Sequence, residues 1–172
     1  MKVVGCLLIF AGMSGMGIYA SRQLERRLRQ LNSLRWLLVY IEREIDYQLS
    51  PLSETMAVAS KKADKPWNFL FENLGQVLNK TASFKSEIDP LLEQEIKKIE
   101  IYHPWKKDLA VLVDLVKRLG QLDKTMQVAQ LKLAEEEVLQ AQKEAMDEYK
   151  KKSQLYKTLG VCMGVLGVII FI

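Results

Sequence analysis

The sequence predicts an all-α protein, a six-helix bundle held to a membrane by one transmembrane helix at each end. Three observations lead there. Val3–Ser21 and Thr158–Ile172 carry no charge, whereas all 21 acidic residues and 24 of the 25 basic ones lie in 22–157, a segment of net charge +3. Between the apolar ends, apolar residues recur at spacings of three and four, the signature of amphipathic helices. Only four prolines and nine glycines interrupt 172 residues, and no series of short alternating strands is present. The chain therefore divides into an N-terminal transmembrane helix (1–21), a bundle (22–157) and a C-terminal transmembrane helix (158–172).

The N-terminal run has 19 uncharged residues. At about 1.5 Å per residue it reaches roughly 28 Å, near the ~30 Å of a hydrocarbon core. A cleavable signal peptide is the competing reading. Ile18 at the −3 position of Gly17-Ile18-Tyr19-Ala20, and the abrupt charges from Arg22 onward, favour a retained anchor. The C-terminal run of 15 residues gains Leu155 and Tyr156 if Lys157 snorkels, and its apolar character on every side distinguishes it from an amphipathic core helix. Arg22, Arg26, Arg27, Arg29 and Arg35 follow the first run, and Lys150, Lys151, Lys152 and Lys157 precede the second. The positive-inside rule then places 22–157 in the cytoplasm and both termini outside. Neither run holds an ionisable side chain, which weighs against an ion path. Small residues at Ala11, Gly15, Gly160, Gly164 and Gly167 suit helix pairing in lipid.

In the middle, Leu24, Leu28, Leu31, Leu34, Leu38, Ile41, Ile45 and Leu49 form one stripe on a helix continuous with the first span. Ser50-Pro51 ends it and begins a second helix to about Lys62, with Pro51 at the first helical position. A third helix runs over 67–78 and a fourth over 84–101. Asp89-Pro90 lies inside the fourth or marks its true start, with Asp89 as the cap. The fifth, 106–119, stops at Leu119-Gly120. Asp123 caps a sixth that continues without Pro or Gly to Gly160 and into the second span, with Met126, Ala129, Leu133 and Val138 on its inward face. The first and last helices should then lie side by side.

Chemistry is sparse, and the reading is of a non-enzyme without cofactor or metal. His103 is the single histidine and sits in a loop beside Pro104, so histidine-based nucleophile schemes lack support. Glu42 and Glu44, two apart on a helix, do not face one site. Glu100-Ile-Tyr-His103 stands alone as a di-iron-type motif. Cys6 and Cys162 lie apart in the apolar ends. Acidic residues interrupt the basic stretch after the first span, against nucleic-acid binding.

Two stretches carry a family likeness. Glu42-Arg-Glu44-Ile-Asp-Tyr47 followed by Pro51-Leu52 is one; Leu119-Gly120-Gln-Leu-Asp123-Lys-Thr-Met-Gln127, followed by Tyr156-Lys157-Thr-Leu-Gly160-Val-Cys-Met-Gly164-Val-Leu-Gly167, is the other. With the end-to-end layout, they resemble the stage III sporulation protein AB family of endospore-forming bacteria. That family is similar to the F-domain platform proteins of type II secretion and type IV pilus machines. The resemblance implies a scaffold in the mother-cell (outer forespore) membrane, part of a complex joining mother cell and forespore. It implies as partners a hexameric secretion-type ATPase and other membrane proteins of that complex. Secretion platforms carry two F domains and three spans where this chain has one domain and two spans, so a platform role calls for self-association or a further membrane partner. Glu42, Glu44, Tyr47, Asp123 and Gln127 become candidate docking residues, with helix capping as the plainer reading. Pro51, Leu119 and Gly120 are helix start and stop positions, and Gly160, Gly164 and Gly167 are span-packing positions. A membrane-tethered regulatory adaptor binding a soluble cytoplasmic partner is the alternative function.

Overall fold

The computed structural model describes residues 2–48, 51–80, 84–103, 105–119 and 122–171, and the described residues are all helix or connection. Six α-helices follow in order: α1 (Lys2–Arg43), α2 (Leu52–Lys62), α3 (Trp67–Lys80), α4 (Phe84–Tyr102), α5 (Lys106–Leu119) and α6 (Lys124–Phe171). A π-helical turn, Glu44–Gln48, extends α1. Pro51 is the residue before α2 rather than its first helical residue, and its carbonyl accepts from the Thr55 amide at 3.0 Å. Helix α4 runs through Pro90, so Asp89 is not its cap. A proline there gives up one ladder hydrogen bond. Ser50 and Gly120, read as punctuation in the sequence, lie outside the described residues.

Contacts divide the chain into two compact units. Met1–Leu28 with Lys143–Ile172 form one, and Arg29–Gln142 the other. These limits do not follow the hydropathy boundaries at 21 and 158, because α1 and α6 remain paired beyond the apolar runs.

The larger unit is built on the α1 stripe. Leu31, Leu34, Leu38 and Ile41 are fully buried, as is Leu37. Met56 and Ala59 of α2, Leu70, Phe71 and Leu74 of α3, Leu92 and Ile99 of α4, and Leu109, Leu112, Leu115 and Val116 of α5 complete the core. Within this unit α6 lies antiparallel to α1. Gln142 Nε2 donates to the Leu31 carbonyl at 3.1 Å, Arg35 meets Glu135 at 2.9 Å, and Lys132 meets Glu42 at 3.6 Å. The inward face of α6 holds Val138 as expected and otherwise differs from the expected one. Leu131, Ala134 and Val138 are buried, whereas Met126, Ala129 and Leu133 are exposed. Two apolar stripes lie side by side on this helix, and the one with Leu131, Ala134 and Val138 is the one buried.

The smaller unit is a pair of helix ends with the usual layering reversed. Apart from Arg27, which is paired with Glu148, its buried positions are small: Ser21, Ala145, Ser153, Gly160, Gly164 and Gly167. Its large apolar side chains point outward, with Leu7, Leu8, Met16, Leu166 and Ile169 each more than half exposed. Among the described residues no helix is long and apolar enough to cross a membrane, so the two full-length spans expected from the sequence find no support there. Glycines, Ser14 and Tyr19 dilute the first run and charges follow it at once, and the second has only 15 uncharged residues.

Candidate functional site

The far end of the α1–α6 pair in the larger unit gathers most of the motif residues. Asp123 stands before α6, and its Oδ1 accepts from the Met126 amide at 2.8 Å while its carbonyl accepts from the Gln127 amide. That is N-capping, one of the four free amides at a helix start being satisfied by a side chain. The Gln127 side chain turns back, and its Nε2 donates to the Leu119 carbonyl at 3.0 Å, satisfying the end of α5. Leu119 itself is buried. Asp123 and Gln127 thus tie the α5–α6 corner together, the plainer of the two readings.

Across from them, Lys124 Nζ donates to the Asp46 carbonyl at 2.6 Å, so α6 grips the π-turn. A π-turn leaves its carbonyls imperfectly aligned for the ladder, and such turns recur at functional positions. Glu42 is half-buried against Lys132. Glu44 accepts from the Tyr40 hydroxyl; burial first, and this carboxylate second, push the Tyr40 pKa up. Tyr47 is 81 % exposed. Of the five docking candidates, four have identified structural contacts and Tyr47 presents its ring to solvent.

One cluster escaped sequence reasoning. His103 sits between α4 and α5 as expected, yet it is fully buried. Its Nδ1 shares a 2.8 Å hydrogen bond with Gln30 Oε1, and its Nε2 a 3.0 Å one with Asp108 Oδ2. Trp67 Nε1 donates to the Gln30 carbonyl at 2.7 Å, and the Trp67 and Trp105 rings lie 5.1 and 5.0 Å from the imidazole. A His–Asp pair could serve proton transfer if one ring nitrogen reached a substrate. Here both are occupied and the ring is shut from solvent, so the cluster instead cross-links α1, α3 and α5. A glutamine beside the α1 stripe and an aspartate in the first turn of α5, close to the only histidine, are both in the sequence, but neither reports the contacts that join them.

In the smaller unit the helices meet at glycine. A Cβ placed on Gly160 would lie 2.9 Å from the Gly17 Cα and 3.2 Å from the Met13 carbonyl oxygen. On Gly164 it would meet the Phe10 ring at 2.9 Å, and on Gly167 the Ile9 side chain at 2.9 Å. The α1 side of this seam is Ile9, Phe10, Met13 and Gly17 rather than Ala11 and Gly15; nothing comes within 4 Å of a Cβ on Gly15. Beyond the glycines the Ser21 and Ser153 hydroxyls share a buried 2.7 Å hydrogen bond. Arg27 then meets Glu148 at 3.1 Å, and Lys152 meets the same carboxylate at 2.6 Å. The Lys152 hydrogen bond holds the Glu148 pKa below its ordinary value, with Arg27 adding to it and burial opposing. The same bond raises Lys152. Cys162 is free and exposed, and the Cys6 side chain lies outside the described residues.

Among the described residues no group of three or more His, Cys, Asp or Glu side chains could hold a metal ion. No solved structure matches the chain. A curated relative, the stage III sporulation protein AB of Bacillus subtilis (strain 168), is 25% identical over 171 residues, covering 99% of this chain and 98% of that protein. The sequence pattern of the family described as stage III sporulation protein AB matches residues 2–172. Because that match takes in the glycine seam, the capped α5–α6 corner and the π-turn alike, the chain belongs to the stage III sporulation protein AB family.

Proposed function

We propose that the protein is a non-enzymatic membrane platform of a sporulation secretion-like complex, docking a hexameric secretion-type ATPase in the cytoplasm. The observation that carries this reading is the reversed layering of the smaller unit. Small residues are buried at the α1–α6 seam and large apolar ones face outward. In water such an arrangement leaves apolar area unburied, whereas in lipid it is the favourable one, since close glycine contacts supply the packing and the tails solvate the rest. Segments this short reach the headgroups through local thinning of the bilayer and snorkelling lysines. The flanking arginines and lysines favour a cytoplasmic bundle with both termini outside. The likeness to secretion platforms supports the ATPase, other membrane proteins of the complex and self-association as partners. Tyr47, exposed within the π-turn that Glu44 begins, is the preferred contact.

The test is pull-down of the sporulation ATPase by the full chain in neutral detergent. Tyr47→Ala should abolish capture with melting unchanged, because the exposed ring contributes little to the fold. Undiminished capture would remove this surface. Recovery of the chain in the soluble fraction of cells lysed without detergent would remove the membrane reading itself.

A further inference from the structure

A collar of cations encircles the smaller unit just past its glycine seam. The paired contacts fix the levels along the two helices: Gly17 with Gly160, then Ser21 with Ser153, then Arg27 with Glu148. Between the first and last of these levels stand Arg22 and Arg26 on α1 and Lys150, Lys151 and Lys157 on α6, all five exposed. None takes part in an ion pair among the described residues. The acidic groups on these turns are Glu25, Glu144, Asp147 and Glu148, and Glu148 is committed to Arg27 and Lys152. Against these four acidic groups stand Arg22, Arg26, Arg27, Lys150, Lys151, Lys152 and Lys157, so the collar keeps a surplus of positive charge. Tyr19 stands one turn from Arg22, 61 % exposed with its hydroxyl accepting from Gln23 Nε2 at 2.6 Å, and Tyr156 lies beside Gly17. An aromatic ring with an apolar body and a bonded hydroxyl, set between uncharged helix and cations, has the composition of a headgroup boundary.

We propose that this collar binds the phosphate groups of anionic phospholipids, giving the protein a preference for acidic bilayers beyond what orientation requires. The inference rests on membrane attachment of the smaller unit. Lysine and arginine side chains on long stems reach phosphate oxygens laterally while their methylenes cover the apolar helix. Each cation at an anionic surface raises partitioning about fivefold. Five within about two helical turns suffice for a preference of tenfold or more for anionic over zwitterionic lipid, weakening as salt screens it.

The experiment takes the full chain in neutral detergent with equimolar phosphatidylglycerol and phosphatidylcholine, and counts retained lipid by native mass spectrometry. Flotation on vesicles of each lipid runs in parallel. The expected result is flotation on both vesicles, at least tenfold enrichment of phosphatidylglycerol, and loss of that enrichment in the variant combining R22Q, R26Q, K150Q, K151Q and K157Q, which still floats. Exchanging Arg and Lys at the same five positions should preserve the enrichment. Equal retention of both lipids by the unaltered chain, or undiminished enrichment in the glutamine variant, would overturn the proposal. Displacement of phosphatidylglycerol by millimolar glycerol phosphate would overturn it in favour of a soluble phosphate site. Failure to float on phosphatidylcholine would instead count against membrane attachment, a separate outcome.

Discussion

Replacing Asp108 by alanine tests the buried cross-link most directly. His103 is fully buried and Asp108 is 3 % exposed, so water does not replace the lost carboxylate at the 3.0 Å site on Nε2. Stranding a buried polar group of this kind costs about 1–3 kcal/mol. The larger unit spans Arg29–Gln142, a size at which each kcal/mol moves the melting midpoint by about 3–6 °C. The expected fall is thus roughly 3–18 °C. Tryptophan emission is the natural probe, because two of the three tryptophans, Trp67 and Trp105, lie against the imidazole and report its loosening. Asp108→Asn keeps an oxygen toward Nε2 and should recover more than half of the loss. A D108A protein melting within about 1 °C of the unaltered chain would refute the reasoning, since the ring would then have to be solvated or its bonds worth nothing.

Leu38→Ala, at a fully buried position, should cost about 2–5 kcal/mol in urea unfolding, while Met126→Gln, 56 % exposed, should stay within about 0.5 kcal/mol. Gly160→Leu should prise apart the glycine seam, read as slowed disulfide formation between S21C and S153C in a chain lacking its two native cysteines. The Glu148 pair sets a pH window. Its lowered carboxyl contributes stability above the ordinary value of 4.5 that is lost as pH falls through the depressed one. Raised Lys152 contributes below 10.5, and its share is lost as pH rises through the elevated value. Glu148→Gln should therefore lower the melting midpoint at neutral pH and flatten the acid limb of a melting-against-pH curve.

Helix existence and limits were legible because the sequence punctuates them chemically. Asp123 is a cap with its hydrogen bond in place, and α5 spans Lys106–Leu119 as spacing and composition suggest. The α1 stripe was legible for the same reason, its leucines being buried from Leu31 to Ile45. The inward face of α6 was not. Met126, Ala129 and Leu133 keep helical spacing as well as Leu131, Ala134 and Val138 do, so spacing alone does not choose between them. The His103 cluster was illegible for another reason. Gln30 reaches it from 73 residues away, and no local pattern reports a contact of that range. Glu42 and Glu44 looked like free carboxylates because sequence shows neither Lys132 nor Tyr40 beside them.

The helix pair of the smaller unit joins the two extremes of the chain, and this has a consequence for its birth. Ser21 and Ser153 are 132 residues apart, so at about 5–20 residues per second the ribosome makes one roughly 7–26 s after the other. Throughout that interval the face of Gly17 and Met13 exists without its counterpart. The nascent helix therefore waits with its tightest contact surface open, and whatever sits beside it during those seconds competes for the place that Gly160 later takes. Synthesis that stalls late, after 29–142 is complete but before Gly160 emerges, would leave a folded larger unit and only one helix of the smaller one.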